Sequence, residues 1–210
     1  MSETCGCCAY FAPQHQYMSN NFSVLSNIIK NRRSTKPALF NGHKIPDEQI
    51  EQLLELADWA PTHTFSEPWR FVVYSGDKVN EFSKQHALLY QQFTPTEKFM
   101  QGKFDGIISN GGKSSHIIVC IMKRSNEKIP AMEEMAAASC AVEHILLGAT
   151  ALDIAALWST GGMVLHPAMK NHFQLNEQDE ILGVLFLGYS EEKMEGKRKI
   201  ALNEKIVWER

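Results

Sequence analysis

The sequence predicts one α/β or α+β domain, on three observations. Its 210 residues are enough to bury a core, and nothing in the composition marks a second domain. Four short apolar runs rich in β-formers, at 70–75, 116–122, 154–158 and 181–187, are bounded by turn residues. Between them lie longer segments in which apolar residues recur at helical spacing.

Taken in order, the chain opens on Cys5, Cys7 and Cys8, with no Cys or His partner following at zinc-finger spacing. Residues 1–20 therefore read as an unstructured tail ahead of a single domain over 21–210, although a metal or redox cluster at the three cysteines is conceivable. Phe22, Leu25, Ile28 and Ile29 then mark a short amphipathic helix. It ends in Lys30-Asn31-Arg32-Arg33-Ser34-Thr35-Lys36-Pro37, four cations and two hydroxyls that suit either a solvated helix end or an anion grip.

Ile50, Leu53, Leu54 and Ala57 place a helix over 48–59, with Asp47 as its N-cap and Pro61 closing it. Between Pro61 and Pro68 stand Thr62, His63, Thr64, Phe65, Ser66 and Glu67, a polar loop pinned at both ends that leads into a buried strand at 70–75. His63 is either a plain surface histidine or a ring nitrogen for a ligand. A helix over 77–92 carries Val79, Phe82, His86 and Leu89 on one face, with His86 reading as a partly buried surface histidine.

Residues 93–115 show no regular pattern, and Gly106 to Lys113 fails the spacing of a nucleotide phosphate loop. A core strand at 116–122 ends at Lys123-Arg124-Ser125-Asn126, and the longest helix, 131–152, carries the small residues Ala136, Ala137, Ala138, Ser139 and Ala141. The strand at 154–158 runs into Ser159-Thr160-Gly161-Gly162, which is either a plain turn or a place where backbone approaches a ligand closely. A short helix at 167–173 and a strand at 181–187 follow, then a polar stretch with Gly196-Lys197-Arg198-Lys199, then Ile200 to Trp208.

Composition removes several classes of function. A net charge of -3, from 21 basic and 24 acidic residues, leaves no basic footprint for nucleic acid. No apolar run approaches the ~20 residues that cross a bilayer, and the N-terminus lacks a secretory pattern, so a protein working in the cytoplasm is expected. Cys120 and Cys140 read as reduced core residues. Hydrolase and metalloprotease motifs are absent, and no catalytic side chain or metal ligand is singled out, which leaves chemistry carried by a cofactor.

Four segments, in order, resemble the FMN-dependent nitroreductase family. They are Arg-x-Ser-x-Lys at 32–36, the Ala-Pro to Pro-Trp loop at 60–69, the strand-end segment 158–162, and the closing basic pair Arg198-Lys199. Phe65 and Glu67 depart from the family, which has an amide and a glutamine there. The resemblance implies an α+β fold, a mixed but mainly antiparallel sheet flanked by helices, in an intertwined homodimer with an FMN at each interface site. It implies phosphate contacts from Arg32, Arg33, Ser34, Arg198 and Lys199, with Lys36 at the ring edge that gathers charge on reduction. It further implies ring contacts from Thr62, His63 and Phe65, and from the segment Trp158, Ser159, Thr160 and Gly161. NAD(P)H would be the reductant and a nitroaromatic, quinone or similar small molecule the acceptor. A specialised relative that does not use NAD(P)H, or an FMN-binding module without turnover, is the alternative.

Overall fold

The computed structural model describes residues 12–124 and 127–210, with side chains from residue 20 onward. The cysteines at 5, 7 and 8 and the Ser125-Asn126 turn lie outside the described residues. The described residues divide into two compact units, one within 33–195 and a smaller one of 12–32 with 196–210.

The larger unit is built on a four-stranded sheet in the order β1-β2-β4-β3, comprising β1 (Trp69–Tyr74), β2 (His116–Met122), β3 (Ala155–Ser159) and β4 (Glu180–Gly188). Every neighbouring pair is antiparallel. The α+β class is observed, with helices on both faces. β2 and β4 are the continuous apolar runs because both of their faces are covered. Ile118, Cys120, Met122, Leu185 and Leu187 pack on one side with α2 (Asp47–Asp58) and α5 (Ala131–Ala151). Ile117, Val119, Ile121, Val184 and Phe186 face the other side with α3 (Asp77–Phe93), α4 (Gln101–Lys113) and α6 (Pro167–His172).

Four expectations need correction here. Residues 93–115 are not irregular: α4 occupies most of them. Gly111 lets it lie against α3, since a Cβ there would fall 2.0 Å from Ser83 Oγ. The first strand is the half-buried edge of the sheet rather than a buried one, with Arg70 and Val73 exposed on opposite faces. Cys120 is fully buried, which pushes its thiol pKa up, but Cys140 is exposed on α5. Asp47 does not cap α2: Pro46 holds that position, and the Asp47 carboxylate meets His116 Nε2 at 2.8 Å.

His116 in turn meets Ser115 Oγ at 3.0 Å, and that oxygen accepts the Ile45 amide at 2.7 Å. The row of Asp, His and Ser is a clamp between the start of α2 and β2, because Ser115 is only 1% exposed and cannot meet a substrate. In the smaller unit, α1 (Ala12–Asn31) begins ten residues before Phe22, inside the segment expected to be tail. The closing segment forms a single 3-10 turn at Leu202–Lys205, with no strand among its residues. No helix among the described residues is long and apolar enough to cross a membrane.

Candidate functional site

Two of the sequence-derived segments meet at β3. Ser34 forms a parallel bridge with Ala156, and the Thr35 amide donates to the Ala156 carbonyl at 2.9 Å. The 33–36 segment therefore runs beside β3 in the same direction, carrying Lys36 toward the end of the strand. Arg33 is half-buried, whereas Ser34 and Lys36 are exposed. A 3-10 turn at Pro37–Leu39 then leads the chain away.

At the end of β3, the Trp158 indole is already engaged, donating to the Leu182 carbonyl at 3.0 Å. Beyond it, Ser159 Oγ accepts the Gly161 amide at 3.2 Å and Gly162 takes φ +68°, a left-handed backbone that glycine adopts without strain. Ser159, Gly161 and Gly162 line one side of a cleft of about 290 Å³. Lys103, Ile107 and Asn110 of α4 line another, and Phe186 and His86 complete it. None of these lining residues is acidic, so the cleft presents amides, a hydroxyl, a carboxamide and one cation.

His86 differs from its expected half-exposed place. It is 4% exposed, and its Nε2 accepts the Met163 amide at 2.9 Å. Burial first, and the charge of Lys103 second, push its pKa down to about 4, so the ring is neutral at physiological pH.

The loop between Pro61 and Pro68 borders a different cleft, of about 410 Å³, with Asp58, Trp59, Thr62, Phe65, Glu67 and Trp69 around it. Thr62 Oγ1 meets Ser66 Oγ at 2.7 Å and accepts the Glu67 amide at 3.1 Å, so it holds the loop together. His63 Nδ1 lies 2.6 Å from Glu133 Oε2 at the start of α5. Thr64, Phe65 and Glu67 all have positive φ, at 50°, 56° and 40°, and Phe65 is 87% exposed. Such backbone is costly for side-chain-bearing residues, and it concentrates at functional sites.

The two clefts have no residue in common, so one chain does not join the 62–65 loop to the turn after β3 in a single cleft. Arg32, Arg198 and Lys199 belong to the smaller unit, where Arg198 and Lys199 are exposed and Arg32 is half-buried. Sequence reasoning did not single out Lys103, Asn110 or His86 as site residues. Lys103, Gly106, Ile107 and Asn110 share one face of α4 at spacings of three and four, a signal legible only once 101–113 is read as helical.

An α+β sheet whose edge strand pairs with the 33–36 segment and ends in a glycine turn at an acid-free cleft has the make-up of a small-molecule site. The nitroreductase family model matches residues 29–189, and the chain belongs to that family. It is 30% identical over 146 residues to the Escherichia coli (strain K12) protein described as "Putative NAD(P)H nitroreductase YdjA", covering 67% of this chain and 75% of that one. Among solved structures, a nitroreductase-like family protein from Bacillus cereus superposes with TM-score 0.75 at 27% identity, covering 88% of this chain and 95% of that one. A nitroreductase with bound FMN from Bacteroides fragilis shares the fold, with TM-score 0.62 at 20% identity over 89% of this chain and 98% of that one.

Proposed function

We propose that the protein is a cytoplasmic, FMN-dependent oxidoreductase, with residues 21–210 as its cofactor-binding domain, that transfers hydride from NAD(P)H to nitroaromatics, quinones or similar acceptors in two separate half-reactions. The observation that carries this reading is the Ser34–Ala156 bridge, which brings a basic, hydroxyl-bearing segment alongside the strand that ends in the glycine turn of the 290 Å³ cleft. FMN is bound in the Bacteroides fragilis relative.

The residues present fit that cofactor. A flavin ring offers carbonyl oxygens and ring nitrogens along its edge, and the cleft offers Asn110, Ser159, the Gly161 and Gly162 backbone and Lys103, with no carboxylate to repel added negative charge. When bound, FMN supplies the hydride-accepting and hydride-donating chemistry, which no side chain carries. Arg33 and Ser34, with Arg32, Arg198 and Lys199, would hold the phosphate by charge-assisted hydrogen bonds. Lys36 and Lys103 would stabilise negative charge on the ring, and the turn would orient it.

The 62–65 loop fits this reading if a second copy supplies it. Trp59, Phe65 and Met132 are 80%, 87% and 81% exposed, and Val207 and Trp208 of the closing segment are 86% and 73% exposed. Large apolar side chains left this bare are the material of an obligate interface, and a homodimer would cover them.

The test is the absorption spectrum of the purified protein, followed by rapid mixing with NADH and NADPH. A flavin band that bleaches with either reductant, and returns on adding a quinone, is the expected result. A colourless protein that takes up no FMN overturns the proposal. Bound flavin that neither nucleotide bleaches would move the protein to the specialised relatives, a reading for which the strained Phe65 is the motive.

A further inference from the structure

We propose that His86 is a positioning residue for the cofactor site, its imidazole holding the turn after β3 at the height and orientation from which the Gly161 and Gly162 backbone faces the cleft. The inference rests on the flavin reading of that cleft.

The geometry is a lock between an α3 side chain and a backbone turn far along the chain. His86 Nε2 accepts the Met163 amide at 2.9 Å in a buried bond. A Cβ built on Gly162 would stand 2.5 Å from Nε2 and 2.9 Å from Cε1 of the same ring, so the imidazole packs directly against the glycine backbone. The turn cannot move toward α3 without striking the ring. It cannot move away without stranding the Met163 amide, since Met163 is itself buried.

Neither half of the lock tolerates ordinary substitution. Gly162 sits at φ +68° with no room for a side chain. The imidazole must present a lone pair at Nε2, which requires the neutral tautomer with its proton on Nδ1. Burial keeps the ring in that state, and Lys103, the cation of α4 that lines the same cleft, reinforces it. Phe82 on the preceding turn of α3 holds the ring from the side, with centroids 6.0 Å apart.

This arrangement would do more than fill the core. The residue bonded by His86 directly follows two that line the cleft, and Ser159 Oγ ties Gly161 back to the strand end, so the turn is fixed at both ends. Fixed backbone dipoles aimed at a ring that changes charge affect its oxidised and reduced forms unequally. His86 would therefore influence the potential of bound flavin as well as its affinity through the turn that it holds.

The experiment compares wild type, His86→Gln, His86→Asn and His86→Leu as full-length protein. Gln places an amide oxygen at the reach of Nε2, whereas Asn is too short and Leu has no acceptor. FMN affinity is read by flavin fluorescence, the midpoint potential by equilibration with a reference dye, and folding by thermal melts. We expect His86→Gln to stay within about threefold of wild-type affinity, and His86→Leu and His86→Asn to bind FMN about tenfold or more weakly with a displaced potential. If His86→Leu does not fold, the Gln and Asn pair decides the matter. Wild type that binds FMN, with variants matching it in affinity and potential, overturns the role of His86 alone. Wild type that binds no FMN overturns the flavin reading and this inference with it.

Discussion

The indole Nε1 of Trp158 donates to the Leu182 carbonyl at 3.0 Å, and the ring lies where a side chain on Gly183 would otherwise stand, 2.2 Å from the position of its Cβ. Leu182 is the extra residue of a bulge: Gly183 pairs with Cys120 and Ile181 with Ile121. The bulge resets the alternation of β4, so that Ile181 and Val184, three apart, share one face. Gly183 has φ +151°. Gly183→Ala should therefore destabilise the fold by more than about 2 kcal/mol, through clash and strain together. Trp158→Phe, which strands the Leu182 carbonyl, should cost about 1–3 kcal/mol. Chemical denaturation of both variants is the check, and a Gly183→Ala protein as stable as wild type would refute the packing.

Stability should fall as the solution is acidified through a defined window. The folded pKa of His86 is about 4, below its usual 6.5, so between those values the unfolded chain binds a proton that the folded one does not. Unfolding free energy then rises with pH across the window, and the stability is lost on going from about pH 6.5 toward 4, by up to about 3 kcal/mol. His86→Gln removes this titration. Its urea midpoint should change less than that of wild type between those pH values, and parallel curves would show that other groups dominate.

The two basic clusters should act on the phosphate of FMN. Arg32→Ala and Arg198→Ala are each expected to weaken FMN by about 1.5–3 kcal/mol while leaving riboflavin, which lacks the phosphate, nearly unaffected. Turnover at saturating FMN should fall less than affinity. Titrations with both flavins measure this, and an unchanged preference for FMN in the two variants would detach the clusters from the cofactor.

Phe65 tests whether strain in the loop is kept for function. Its φ of 56° suits glycine, and within one chain its ring is 87% exposed, so Phe65→Gly relieves backbone strain and loses only the contact that the proposed partner copy would give the ring. The melting temperature should fall little in consequence, while kcat/KM for a quinone and a nitroaromatic changes if the ring narrows the acceptor site. His63→Ala is the companion variant: its bond to Glu133 is exposed, so removing it should cost less than about 1 kcal/mol. Unaltered kinetics in both variants would leave the loop without a catalytic part.

Local sequence determined the element types. The strands at 116–122 and 181–187 were legible because both lie at the centre of the sheet and consist mostly of β-branched and large apolar residues. The helices over 48–59, 77–92 and 131–152 were legible from their apolar spacing, and Arg33, Ser34, Lys36 and the 159–162 turn from the residue types they combine. Tertiary structure alone decided the rest. The glycines of α4 lower its intrinsic helicity, and of them the close approach to α3 at Ser83 accounts for Gly111, so Lys103 and Asn110 could not be placed on one face beforehand. A histidine on an amphipathic helix can point to solvent or to the core, and what settled His86 was the Met163 amide, which no local pattern connects to it. The meeting of Ser34 with Ala156 was likewise invisible to local reading, because a parallel bridge between distant segments depends on how the whole sheet closes rather than on the propensity of either segment.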